Sequence, residues 1–130
     1  MKTFFNKLFV GTCLLFSFIC CAQKPQFDSL SAKDFEKLLK ENSAVQLVDV
    51  RRPEEFEAGH IDKAVLINVQ APDFSSKAKV SLDQSKPVAV YCRSGKRSKE
   101  AANILTKAGF KVFELNSGYL GWVEYSNSKK

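Results

Sequence analysis

The residues best placed to do chemistry lie together in one stretch, Tyr91-Cys92-Arg93-Ser94-Gly95-Lys96-Arg97-Ser98. An apolar run, Pro87-Val88-Ala89-Val90-Tyr91, leads into it, and a helix-patterned run over 98–108 leads out. A strand that ends in a tight loop and feeds a helix aims its loop amides and the positive end of the helix dipole at one spot. A thiolate there is stabilised, so Cys92 is expected to ionise below the ordinary thiol value and to act as a nucleophile. Arg93, Lys96 and Arg97 push the same way and suit an anionic substrate. A cysteine after an apolar run can be a small core hydrophobe. Three cations around the thiol, with Gly95 permitting the turn, favour reactivity instead.

The surrounding elements must hold that loop. Ser31 suits the N-cap of a helix over 32–41, with Phe35, Leu38 and Leu39 at helical spacing. The apolar run over 45–50 reads as a buried strand. Pro53 opens a short helix over 54–58, acids follow it and Gly59 ends it. A strand over 65–69 and a short helix or ordered loop over 72–79 come next. The strand over 88–91 enters the loop. A helix over 98–108 leaves it, with Ala101, Ala102, Leu105 and Ala108 inward. A strand over 112–115 and a helix over 118–125 close the chain. The alternation predicts an α/β domain with a mainly parallel sheet flanked by helices. Sites in such sheets lie beyond the carboxyl ends of the strands, where Cys92, Asp49 and Arg51 all fall. Asp49 is expected to bond nearby loop amides, and Arg51 to pair with Glu54 or Glu55. His60 is the sole histidine, and Trp122 is read as a core or pocket-wall aromatic.

The N-terminus has a different build. Lys2 and Lys7 precede a nearly unbroken apolar run over 8–20, shorter than the ~20 residues that span a bilayer. Residues 1–22 therefore read as an export leader, cleaved before Gln23 or lipidated at Cys21, the latter because Phe18-Ile19-Cys20-Cys21 resembles a lipoprotein box. Residues 23–26 read as a linker, 27–125 as one domain and 126–130 as a polar tail. The expected location is the periplasm or the membrane of a bacterial envelope. With Cys13, Cys20 and Cys21 in the leader, Cys92 has no partner in the mature domain, which again points to reactivity. The formal charge of +6 falls to about +4 without Lys2 and Lys7. The remaining cations are scattered apart from the Cys92 loop and Lys129-Lys130, so nucleic acid is not an expected partner.

The chain resembles a single-domain rhodanese, a sulfurtransferase. Leu47-Val48-Asp49-Val50-Arg51 is similar to the family's Asp-Val-Arg strand end. Glu54-Glu55-Phe56-Glu57-Ala58-Gly59-His60-Ile61 is similar to its Glu-Phe-x-x-Gly-His-Ile segment, and the 91–98 stretch to its Cys-x-x-Gly-x-Arg-Ser loop. Gly109-Phe110 to Gly118, then Trp122, resembles its closing strand and helix. Lys63 departs from the family's usual Gly. The resemblance implies transfer of sulfur from an anionic donor such as thiosulfate, or from a persulfide, to a thiol or protein acceptor. Cys92 would carry the sulfur as a persulfide with no metal or organic cofactor. The amides from Arg93 through Ser94, Gly95 and Lys96 to Arg97 would cradle it, with Asp49, Arg51 and Ser98 in support. Two alternatives stand beside this. One is a non-catalytic rhodanese-like binding or sulfur-carrier module. The other is a phosphatase or arsenate reductase, disfavoured because Cys92 and Arg97 enclose four residues where those enzymes use a longer loop.

Overall fold

A computed structural model describes residues 26–130 of the chain. The leader expected over 1–22, with its Cys21 lipidation site, and most of the linker lie outside those residues. The elements run β1 (Asp28–Leu30), α1 (Ala32–Glu41), β2 (Gln46–Asp49), α2 (Pro53–Ala58), β3 (Val65–Leu66), α3 (Phe74–Ser81), β4 (Val88–Tyr91), α4 (Lys96–Lys107), β5 (Val112–Leu115) and α5 (Gly118–Ser128). The five strands form one parallel sheet in the order β1-β5-β4-β2-β3. The expected α/β class with a parallel sheet and flanking helices is what the chain adopts.

Period-two alternation sends the side chains of the central strands to two cores. Val88, Val90 and Cys92 join Val48, Val50 and Val112 under Ala101, Ala102 and Leu105 of α4 and Phe74 and Ala78 of α3. Ala89 and Tyr91 face the other way, with Leu47, Leu115 and Phe35 of α1, and Trp122 of α5 packs against them. The valines of β2, β4 and β5 in the first core are fully buried. Burying each contributes roughly 1.5–3 kcal/mol. Cys92 therefore sits where a rigid central strand ends.

Several elements differ from the sequence reading. β1 is an additional strand: Asp28-Ser29-Leu30 carries no apolar run and pairs with Phe113, Glu114 and Leu115 of β5. β3 closes after Leu66, although the Ile67 and Val69 amides still donate to the Asp49 and Val50 carbonyls at 2.9 and 3.1 Å. α4 begins at Lys96 rather than Ser98, so Lys96 and Arg97 lie in its first turn. α5 continues through Ser126, Asn127 and Ser128, which the sequence reading gives to the tail, and Lys129 beyond it bonds Glu36 of α1 at 2.6 Å. Lys63, at the position where the family usually has Gly, holds a φ of 68°, a left-handed conformation that costs a residue with a Cβ about 1–2 kcal/mol.

Candidate active site

β4 delivers Cys92 to the carboxyl edge of the sheet, beside Asp49 at the end of β2, which registers with Tyr91. The chain then turns through Arg93 and Ser94 to Gly95, whose φ of 104° places it in the left-handed region. A Cβ at Gly95 would run into the Asn116 carbonyl oxygen. Only glycine can take this corner and enter α4 at once. The turn brings the Gly95 N–H to 3.1 Å from Cys92 Sγ.

The other side of the loop is held by the first turn of α5. Tyr119 N–H donates to the Cys92 carbonyl at 2.8 Å and Leu120 N–H to the Arg93 carbonyl at 3.1 Å. With the carbonyls tied outward, the loop amides are left for the sulfur. This docking needs Gly118, which has a φ of 65° and abuts the Arg93 carbonyl so closely that a Cβ has no room.

Cys92 is 1% exposed. Burial pushes its thiol up, but the Ser98 hydroxyl and the amides of Ser98, Gly95 and Ser94 outweigh burial, and the net shift is below the ordinary value of 9.0. The direction is the one expected from a strand, loop and helix N-terminus.

The cations divide. Arg93 and Lys96 are exposed, and among the described residues neither makes an ion pair. Arg97 is committed: its Nη1 and Nη2 donate to the Glu55 carboxylate at 2.7 and 2.8 Å. That fork–fork pair locks α4 to α2 and, with help from the Arg52 amide, holds the Glu55 carboxyl down to about 2 against a smaller opposing effect of burial. Glu55 is thus the partner of Arg97 and not of Arg51. Arg51 instead bonds Asp49 (Nη2 to Oδ2, 2.7 Å) and the Gly59 carbonyl at 2.7 Å, with its guanidinium carbon 4.5 Å from the Tyr119 ring centre. Asp49 accepts the Arg51 amide at 3.0 Å, as a strand-end Asp was expected to do. Both are buried and brace the loop's neighbour strand. His60 stacks on Phe56 with ring centres 3.8 Å apart and its Nδ1 lies 2.9 Å from the Phe56 carbonyl, a turn role. Among the described residues no group of His, Cys, Asp or Glu could hold a metal ion.

One residue at the site escaped the sequence reading. Glu114 of β5 is fully buried beneath α4 and accepts from Ser98 Oγ at 2.8 Å, Ser29 Oγ at 2.6 Å and Lys99 Nζ at 3.2 Å. A charged residue within the apolar strand pattern Val112–Leu115 was the available signal: a carboxylate pointing into a core requires partners.

The family model that describes a rhodanese-like domain matches residues 31–125. The thiosulfate sulfurtransferase GlpE of Tolumonas auensis is 35% identical over 99 residues, covering 75% of this chain and 89% of that one. Thiosulfate sulfurtransferase 18 of Arabidopsis thaliana is 33% identical over 96 residues, 65% of this chain and 71% of that one. Among solved structures, the rhodanese-like domain of an Anabaena protein superposes with a TM-score of 0.67 at 28% identity, covering 79% of this chain and 76% of that one. Sequence and fold agree, and the chain belongs to the rhodanese-like domain family.

Proposed function

We propose that the protein is a sulfurtransferase that moves a sulfane sulfur from thiosulfate, or a persulfide donor, to a thiophilic acceptor through a persulfide on Cys92. The observation that carries this reading is the Gly95 amide set 3.1 Å from a Cys92 sulfur at the N-terminus of α4. The Cys92 thiolate attacks the outer sulfur of thiosulfate. A new S–S bond forms, the donor's S–S bond breaks, and sulfite leaves with the electron pair. Arg93 and Lys96 attract the sulfonate and ease its departure. The terminal sulfur of the persulfide is then taken by an acceptor nucleophile such as a thiol, and the Cys92 thiolate returns. The negative charge stays on sulfur throughout, where the loop amides already point. The names of the related thiosulfate sulfurtransferases support this substrate class.

The burial of Cys92, at 1% exposure, favours a second reading, a binding module whose thiol is structural. Intact mass before and after thiosulfate separates the two. A gain of one sulfur atom, lost on adding cyanide, supports transfer, and an unchanged mass leaves the binding module. We further propose that residues 1–22 direct export and that Cys21 is either lipidated or removed. The mass of the mature chain from a bacterial host reads the cleavage point and any lipid, and a retained leader would exclude both routes.

A further inference from the structure

Behind Cys92 a line of polar side chains runs into the core. Cys92 Sγ lies 3.4 Å from Ser98 Oγ, which lies 2.8 Å from Glu114 Oε1. Glu114 also holds Ser29 and Lys99. Ser98 and Glu114 are fully buried, and no buried side-chain polar atom among the described residues lacks a partner.

A serine hydroxyl has one proton to give and two lone pairs. Ser98 therefore cannot donate to Glu114 and to the Cys92 sulfur at once. The hydrogen bond to a carboxylate oxygen at 2.8 Å has ordinary length and is charge-assisted, whereas the contact at 3.4 Å is with sulfur, a weak acceptor as a thiol. The proton goes to Glu114, and Ser98 turns a lone pair to the sulfur. A lone pair accepts an S–H and repels a thiolate.

We propose that Glu114 is a positioning residue for Cys92: it competes with the sulfur for the single hydroxyl proton of Ser98 and so favours the resting thiol over the thiolate. When Cys92 ionises, its proton passes to solvent and Ser98 turns its own proton to the sulfur. Glu114 keeps the Ser29 hydroxyl and the Lys99 ammonium, so no buried charge is left without a partner. The same turn serves a persulfide anion. The other charges around the sulfur are Arg97 of α4 with Glu55 of α2 behind it, and the Asp49–Arg51 pair from β2. Their guanidinium–carboxylate pairs remain intact in either state. This role rests on the sulfurtransferase reading of Cys92 as the nucleophile.

Iodoacetamide alkylation against pH, followed by peptide mass at Cys92 in the full chain, tests it in four proteins: wild type, Glu114→Gln, Ser98→Ala and the double variant. Glu114→Gln is expected to move the midpoint down by about one pH unit and raise the rate on the acid side roughly tenfold. Ser98→Ala is expected to slow alkylation of the wild type, but by less than it slows the Glu114→Gln variant, because giving up the bond to Glu114 offsets part of what the hydroxyl gives the thiolate. In the Glu114→Gln background it should reverse most of the gain. The contrast matters because loss of the carboxylate charge alone would also lower the midpoint, but that part would survive Ser98→Ala. Equal slowing by Ser98→Ala in both backgrounds would overturn the proposal. Should Glu114→Gln not fold, the infrared S–H stretch of Cys92, isolated as wild type minus Cys92→Ser, should lie lower in wild type than in Ser98→Ala. An unshifted band would overturn it equally. Neither measurement needs a sulfur donor, so a chain that behaves as expected here yet gains no sulfur from thiosulfate fails only the transfer reading.

Discussion

The two sides of the Cys92 loop are built on opposite principles. The outer side presents Arg93 and Lys96 to solvent, where charge is cheap to keep and free to meet an incoming anion. The inner side buries Glu114 with both of its oxygens tied, to Ser98, Ser29 and Lys99, because a buried charge without partners would cost several kcal/mol. Exposed charges can select a substrate but hold nothing in place. Buried ones hold the loop and orient a hydroxyl against the sulfur. Arg97 stands between the two sides, in the loop by sequence and in the scaffold by its bond to Glu55.

The largest effect should come from the sulfur itself. Cys92→Ser is expected to lower sulfur transfer by about three orders of magnitude or more. Stability should change by less than about 1 kcal/mol, since the side chains are close in size. A thiosulfate–cyanide rate assay and a urea titration read the two, and retained activity would remove Cys92 from the chemistry.

Next is the corner that joins the two sides. Gly95→Ala is expected to cost about 1–3 kcal/mol, because a side chain meets both a φ of 104° and the Asn116 carbonyl. It should also raise the midpoint of Cys92 alkylation, since the Gly95 amide would leave the sulfur. Unchanged stability and reactivity would mean the loop has a second conformation of similar energy.

The contrast among the cations gives a third, smaller effect. Arg93→Ala and Lys96→Ala are expected to lower kcat/KM for thiosulfate about fivefold each, the scale of an exposed charge contact, while sparing an uncharged persulfide donor. Arg97→Ala should instead weaken use of both donors alike, because it releases α2 from α4 rather than freeing a substrate contact. Donor selectivity in Arg97→Ala, with none in the other two, would reverse these assignments.

The smallest effect is in acid. The Glu55 carboxyl is held near 2 when folded against an ordinary 4.5. A depressed folded value means the stabilisation is complete above about pH 4.5 and is lost as the pH falls toward 2. The pair is about one-fifth exposed, so screening reduces its worth to about 1 kcal/mol. Urea midpoints at pH 6 and pH 3 should therefore differ by less in Glu55→Gln than in wild type. Identical pH dependence would show that Glu55 is paired to the same extent in the unfolded chain.

Much of this arrangement was open to a reading of the sequence because its causes are local. The runs Gln46–Asp49, Val88–Tyr91 and Val112–Leu115 are apolar enough to be buried strands in any setting, and Ser31 caps α1 through the Asp34 amide as its position implies. β1 was hidden because Asp28 and Ser29 are exposed and become a strand only through the edge of β5. The end of α5 was hidden for a related reason: Ser126, Asn127 and Ser128 are poor helix formers in a helix whose following residue, Lys129, is tied to Glu36 of α1. The early start of α4 follows from the left-handed Gly95, which leads directly into the first helical turn.

The sequence by itself determined the alternating α/β order, the cysteine at a strand's end, the glycine at the corner and the cations about it. Each depends on residues within a few positions of one another, where propensity and chain geometry suffice. Only the tertiary structure decided what each charge is for. Glu55 and Arg97 stand 42 residues apart, and Ser98 and Glu114 stand 16 apart. The choice of Glu55 for Arg97 and of Glu114 for Ser98 is made by which elements lie side by side. A carboxylate's partner is set by distance in space, which a spacing along the chain does not contain.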